Sequence, residues 1–117
     1  MVPAVYRDSD NLLVTLTNPI HKGDQLTIYV SGLGPTSPAV SAGQPSPSNP
    51  LAVALLTPTV TLNGVNLTVT FAGLAPGQIG VYQINVNVPQ GITQGLSIPL
   101  TVAQGDASST VNVRVVQ

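Results

Sequence analysis

From Leu12 onward the chain alternates apolar and polar residues with a period of two, and no stretch carries the i, i+3, i+4 stripe of an amphipathic helix. Leu12, Val14 and Leu16 are set against Leu13, Thr15 and Thr17. Leu26, Ile28 and Val30 alternate with Gln25, Thr27, Tyr29 and Ser31. Val60 and Leu62 oppose Thr59, Thr61 and Asn63, and Leu67, Val69 and Phe71 oppose Thr68 and Thr70. The same rhythm sets Tyr82, Ile84, Val86 and Val88 against Gln83, Asn85 and Asn87. Ile98, Leu100 and Val102 then oppose Ser97, Pro99 and Thr101, and Val111, Val113 and Val115 oppose Asn112 and Arg114. An apolar, often β-branched face backed by neutral polar residues predicts antiparallel strands, dry on one side and wet on the other.

About seven such strands in roughly 100 residues, punctuated by Gly, Pro and Asn, predict an immunoglobulin-like antiparallel β-sandwich of about seven to eight strands. The chain reads as one domain over residues 1–117. Pro99 suits an edge strand, since it cannot donate to a ladder. Two connections stand out. Gly32 to Pro50 holds five prolines, at 35, 38, 45, 47 and 50, and reads as a polyproline-like strap over the sandwich. The second connection, Ala72-Gly73-Leu74-Ala75-Pro76-Gly77, leads into Tyr82.

Composition narrows the function classes. Hydrophobic residues make up 43% and charged residues 6%, a balance that folds rather than stays disordered. The basic residues Arg7, Lys22 and Arg114 are few and far apart, which sets nucleic-acid binding aside. Without cysteine there is neither a disulfide nor a thiolate metal site. No apolar run reaches the ~18 residues of a membrane span, and no basic start leads into a signal-like stretch. Met1-Val2-Pro3-Ala4 reads as the start of a segment cut from a longer chain, whose export signal would lie upstream.

The runs Asn18-Pro19, Gly23-Asp24 and Tyr29-Val30-Ser31-Gly32-Leu33-Gly34-Pro35 form the first half of a signature. Its second half is Ala72-Gly73-Leu74-Ala75-Pro76-Gly77-Gln78-Ile79-Gly80-Val81-Tyr82-Gln83-Ile84-Asn85-Val86, followed by Val88-Pro89. Together they resemble the uncharacterised C-terminal domain of large acidobacterial (Solibacter-type) proteins. More distantly, the chain is similar to bacterial Ig-like and IPT/TIG-type modules. The resemblance implies a tail module of a large, exported or cell-surface bacterial protein, and it brings no catalytic residues with it.

Candidate chemistry is sparse. The titratable set is His21, Asp8, Asp10, Asp24 and Asp106, and catalysis needs a base beside a nucleophile or two coupled carboxylates. His21 stands in Asn18-Pro19-Ile20-His21-Lys22-Gly23, read as a solvated turn between strands, and no Gly-x-Ser-x-Gly elbow accompanies it. No catalytic residue is assigned, and a hydrolase fragment is the least favoured reading. Asp8 and Asp10, with Asp106 brought in by strand alternation, are candidate Ca²⁺ ligands of the hard-oxygen kind. A separate strand within Leu51–Leu56 would reverse that parity, and the competing reading is solvated loop acids. Tyr29, on the polar face, is the candidate sugar platform, against a bland role in cross-strand packing. Phe71 and Tyr82 read as core.

These observations lead to the expectation of a non-catalytic spacer, docking or attachment module. Its partners would be other domains of the parent protein or cell-surface components. The contact surface is expected at the loop end that carries Gly32, Leu33, Gly34, Pro35, Leu74, Pro76 and Gly77, because function on sandwiches gathers in loops. The alternative is a module that binds polysaccharide on an exposed sheet face or at that loop end.

Overall fold

The computed structural model describes residues 3–15, 17–30, 36–37, 53–54, 57–75, 81–92, 94–104 and 107–116, and over these the chain is all-β. In chain order the strands are β1 (Ala4–Arg7), β2 (Leu12–Leu13), β3 (Ile20–His21), β4 (Gln25–Val30), β5 (Thr36–Ser37) and β6 (Val53–Ala54). They continue with β7 (Thr59–Leu62), β8 (Val65–Asn66), β9 (Thr68–Leu74), β10 (Tyr82–Asn87), β11 (Gly95–Gln104) and β12 (Ala107–Val116). A seven-stranded sheet runs β2-β1-β4-β10-β9-β6-β5, and a five-stranded sheet runs β3-β12-β11-β7-β8. Every pairing is antiparallel except β12 with β3. Among the described residues there is no helix long and apolar enough to cross a membrane.

The period-two pattern fixes which side of each strand is dry. Val5, Leu26, Ile28, Val30, Ile84 and Val86 of the first sheet join Val60, Leu62, Ile98, Leu100, Val102, Val113 and Val115 of the second in one buried cluster. Ile20 enters that cluster from β3, fully buried. Leu26, Ile28, Leu62, Ile84 and Leu100 have no exposed surface, so truncating any of them to Ala should cost about 2–5 kcal/mol. The β7–β8 hairpin closes on Asn63-Gly64, with φ of 52° and 78°. Positive φ at both central residues is the type I′ geometry for which Asn-Gly is suited.

The structure departs from the sequence reading in five places. A strand, β1, precedes Leu12 and takes an interior place in the first sheet. Leu12 is not an inward residue, because β2 is a two-residue edge and the chain leaves for the other sheet after Val14; Leu12 is 59% exposed. Phe71 is half-buried and shares the outer face with its partner Asn85, since a bulge at Asn85/Val86 shifts the register from Val69↔Val86 to Phe71↔Asn85. One extra residue reverses the inward set, so Ala72 is buried where simple alternation puts Phe71. Pro99 lies in β11, an interior strand, where the ladder to β7 begins at Leu100 and Pro99 only accepts, from the Asn63 N–H at 2.9 Å. Finally, Thr36–Ser37, within the proline-rich connection, pairs with Val53–Ala54, and the rest of Gly32 to Pro50 lies outside the described residues.

Candidate functional site

Three of the chain's seven charged side chains, Arg7, Asp10 and Asp24, are joined at one end of the sandwich, where β1 ends and β4 begins. Arg7 donates from Nε to Asp24 Oδ2 at 2.8 Å and from Nη2 to Asp24 Oδ1 at 3.4 Å. Its Nη1 reaches Asn18 Oδ1 at 3.1 Å and Asp10 Oδ2 at 3.4 Å. Asp24 Oδ2 also accepts the His21 backbone N–H at 2.8 Å, while Asn18 Nδ2 donates to the Leu13 carbonyl at 3.1 Å. Arg7 and Asp24 side chains are 15% and 13% exposed, sheltered enough for this bidentate pair to count. The hydrogen bond to Asp24 holds the Arg7 guanidinium charged above its ordinary range, against an opposing effect of burial. The corner therefore ties β1, the segment entering β3 and the start of β4 into one unit.

Asp8 and Asp10 stand in the turn between β1 and β2, and both face protein donors. Asp8 Oδ1 accepts from the Thr27 hydroxyl at 2.6 Å, and Asp10 Oδ1 accepts the Leu12 N–H at 3.0 Å. This turn adjoins the start of β4, at the end of the sandwich where β12 finishes beside β3. Asp106 lies outside the described residues, and its neighbours Gln104 and Ala107 are at the opposite end of β12. Among the described residues no three His, Cys, Asp or Glu side chains are grouped as a metal site. His21 is half-buried in β3 rather than solvated in a turn, with Asp24 bonded to its backbone.

The outer face of the seven-stranded sheet brings together residues that are scattered in sequence. One cross-strand row is Ala4, Tyr29, Gln83 and Gly73; the next is Tyr6, Thr27, Asn85 and Phe71. The Tyr6 and Tyr29 rings meet edge to face, 5.6 Å between centroids at 77°. Gln83 Nε2 donates to Asn85 Oδ1 at 3.0 Å beside them. Tyr29 is thus half-buried against Tyr6, and the predicted platform is a two-ring patch bordered by amides. Beyond Asn85, a cleft is lined by Thr57, Val69, Thr70, Phe71 and Ala72.

Of the expected loop-end contacts, Leu74 is buried at the end of β9 opposite Tyr82, where it packs inside the fold. Gly32, Leu33, Gly34, Pro35, Pro76 and Gly77 lie outside the described residues. Tyr6, Gln83, Asn85 and Phe71 escaped the sequence reading as a group. Ala4-Val5-Tyr6 was a legible short strand signal, but no local feature of the sequence sets β1 beside β4. No family model, curated protein or solved structure matches the chain.

Proposed function

We propose that the chain is a non-catalytic, immunoglobulin-like interaction and spacer module at the C-terminal end of a larger exported or cell-surface bacterial protein. The strand order supports the fold part of this reading. Reading β1, β4, β7, β9, β10, β11 and β12 as A to G gives an A-B-E-D run in one sheet and a C-F-G run in the other. The observation that carries the functional part is the use made of the carboxylates. Asp8, Asp10 and Asp24 each accept from a neighbouring protein donor, so these carboxylates brace the scaffold. Folding that does not depend on Ca²⁺ follows, and is checked by thermal melts in Ca²⁺ and in chelator. A midpoint that rises with Ca²⁺ would move the reading to the Asp8–Asp10 turn.

A second reading has its own support: the Tyr6–Tyr29 pair beside Gln83 and Asn85 offers apolar ring surface and neutral hydrogen-bonding groups together. Neutral polysaccharide is recognised by that mixture, stacking on rings and bonding to amides. Pull-down on insoluble polysaccharides and cell wall separates the two. Retention abolished by Tyr29→Ala and by Tyr6→Ala establishes a sugar-binding face, and no retention on any matrix leaves the spacer and docking reading.

A further inference from the structure

β12 is ten residues long and is paired with β11 without a break from Ala107 to Val113. On its other side only β3 is paired, in parallel, at Val115 and Val116. Among the described residues no strand takes that side from Ala107 to Val113. The direction of the unpaired groups follows from Pro99. Its carbonyl bonds to Asn63, away from β12, so Pro99↔Asn112 is a non-hydrogen-bonded pair. Asn112 therefore turns its N–H and C=O to the open side, as do Thr110 and Ser108 by the period of two.

Edge strands are ordinarily blunted by shortness, Lys, Pro or a bulge. The edges β2, β5 and β8 are two residues each, and β9, covered outside by β6 only at Gly73, carries the bulge at Thr70. From Ala107 to Val113, β12 has none of these devices: the register is unbroken and the residues are Ala, Ser, Ser, Thr, Val, Asn and Val. The same flank carries exposed apolar surface. Residues 14–19 carry the chain from β2, on the edge of one sheet, to β3, on the edge of the other. The open edge of β12 therefore shares its flank with Leu12 and Leu13, 59% and 46% exposed.

We infer that two copies of the chain associate through this edge, β12 against β12, antiparallel across a two-fold axis at Thr110. The contact joins the two five-stranded sheets into one continuous sheet. A second copy is the occupant the edge itself specifies. Its outward-turned residues are spaced symmetrically, so Thr110 opposes Thr110 and Ser108 opposes Asn112, giving about six backbone hydrogen bonds at two per opposed pair. β3 closes the slot at Val115, which confines an incoming strand to this stretch. The stretch is uncharged through Val113, so opposing it with itself sets no like charges together. Such a two-fold contact is isologous and closes on itself, using the open β12 edge of both copies. It is separate from the sugar-binding and Ca²⁺ questions, which concern other surfaces.

The test is sedimentation velocity on the purified chain from micromolar to millimolar concentration, with amide hydrogen exchange at both extremes. The expected result is a rise from one to two chain masses. With it, the amides of Ser108, Thr110 and Asn112 gain protection at high concentration, while those of Ser109 and Val111, bonded to β11, stay protected throughout. Thr110→Pro removes an N–H that β11 does not use and should hold the chain monomeric while it keeps its melting transition. If that variant fails to fold, Thr110→Lys keeps the N–H and sets two ammonium groups face to face, weakening association on the order of tenfold or more, with salt restoring it. A chain that stays monomeric at the highest concentration overturns the inference. So does a dimer whose Ser108, Thr110 and Asn112 amides exchange as fast as in the monomer.

Discussion

Two regions of this molecule solve the same problem with different chemistry. At the β1–β4 end the chain turns back, crosses between sheets and enters a two-residue strand, so few ladder bonds are available to fix it. Arg7, Asp24, Asn18 and Asp10 supply directed polar contacts there instead. The β11–β12 hairpin has two ten-residue strands, backbone pairing unbroken from Ile98↔Val113 to Gln104↔Ala107, and inward Ile98, Leu100, Val102, Val113 and Val115. On its outer face the hydroxyls of Thr101 and Thr110 are hydrogen-bonded, 2.8 Å apart. Where the ladder is long, apolar alternation suffices to set the position of a strand. Where the ladder is short, a nearly uncharged chain places its few charges.

The comparison breaks most directly at Asp24. Asp24→Ala removes both bonds from Arg7 and the acceptor for the His21 N–H, leaving a sheltered guanidinium without its main partner. The expected loss is about 2–4 kcal/mol in urea unfolding, because hydrogen bonds to charged groups are worth more than neutral ones. Asp24→Asn, which keeps an acceptor oxygen but no charge, should lose about half as much. A loss for Asp24→Ala within ~0.5 kcal/mol, the range of ordinary surface changes, would show that the corner is decoration.

Arg7→Lys sharpens the same point through pH. The Arg7 pKa is raised by Asp24, so its contribution is complete below the ordinary arginine value and is lost only as pH rises through the raised one. The native corner should therefore show no loss on this account up to about pH 11. The lysine variant forfeits the bidentate fork, costing about 1–2 kcal/mol at neutral pH. Relative to the parent it should lose more as pH climbs through the lysine range, about 10–11. Difference curves of urea midpoint against pH measure both effects, and parallel curves would deny the pairing its role.

How much of this was legible follows from the same contrast. The β11–β12 hairpin was written in the alternation of Ile98, Leu100, Val102 and of Val111, Val113, Val115, all half-buried or buried as read. Leu26, Ile28, Val30, Ile84 and Val86 were read correctly for the same reason: inward residues are a local property of one strand. Neighbours on the outer face are not, because Tyr6, Tyr29, Gln83 and Phe71 meet only through the order β1-β4-β10-β9. Phe71 was misplaced by a bulge whose cause is pairing with β10, which leaves no mark in the alternation of β9 itself. The acids of the corner were seen as loop residues since nothing in Asp8-Ser9-Asp10 announces that Thr27 and Leu12 will bond to them.

A smaller effect is expected on the outer face of the first sheet, where Tyr6 and Tyr29 touch. A double-mutant cycle with Tyr6→Leu and Tyr29→Leu should give a coupling of about 0.5–1.5 kcal/mol, the range for edge-to-face ring pairs. Coupling of zero would mean that the rings are neighbours without attraction, and it would strengthen the case that each is kept for a ligand. Coupling at the upper end would mark Tyr29 as a packing residue first.

The smallest effect belongs to Thr101 and Thr110, and it decides whether the hairpin depends on side-chain chemistry at all. They occupy a cross-strand pair on the outer face of the second sheet, at the non-hydrogen-bonded spacing that brings side chains closest. Replacing either by Val keeps the β-branched shape and the backbone bonds, and removes only the hydroxyl. A cycle over Thr101→Val and Thr110→Val should give a coupling of about 0.2–1 kcal/mol, with each single variant close to neutral. Exposure explains the small size, since a hydroxyl left without its partner here still finds water. A coupling that rivals the loss at Asp24 would mean that the hairpin, too, is set by directed polar contacts, and the contrast between the two regions would disappear.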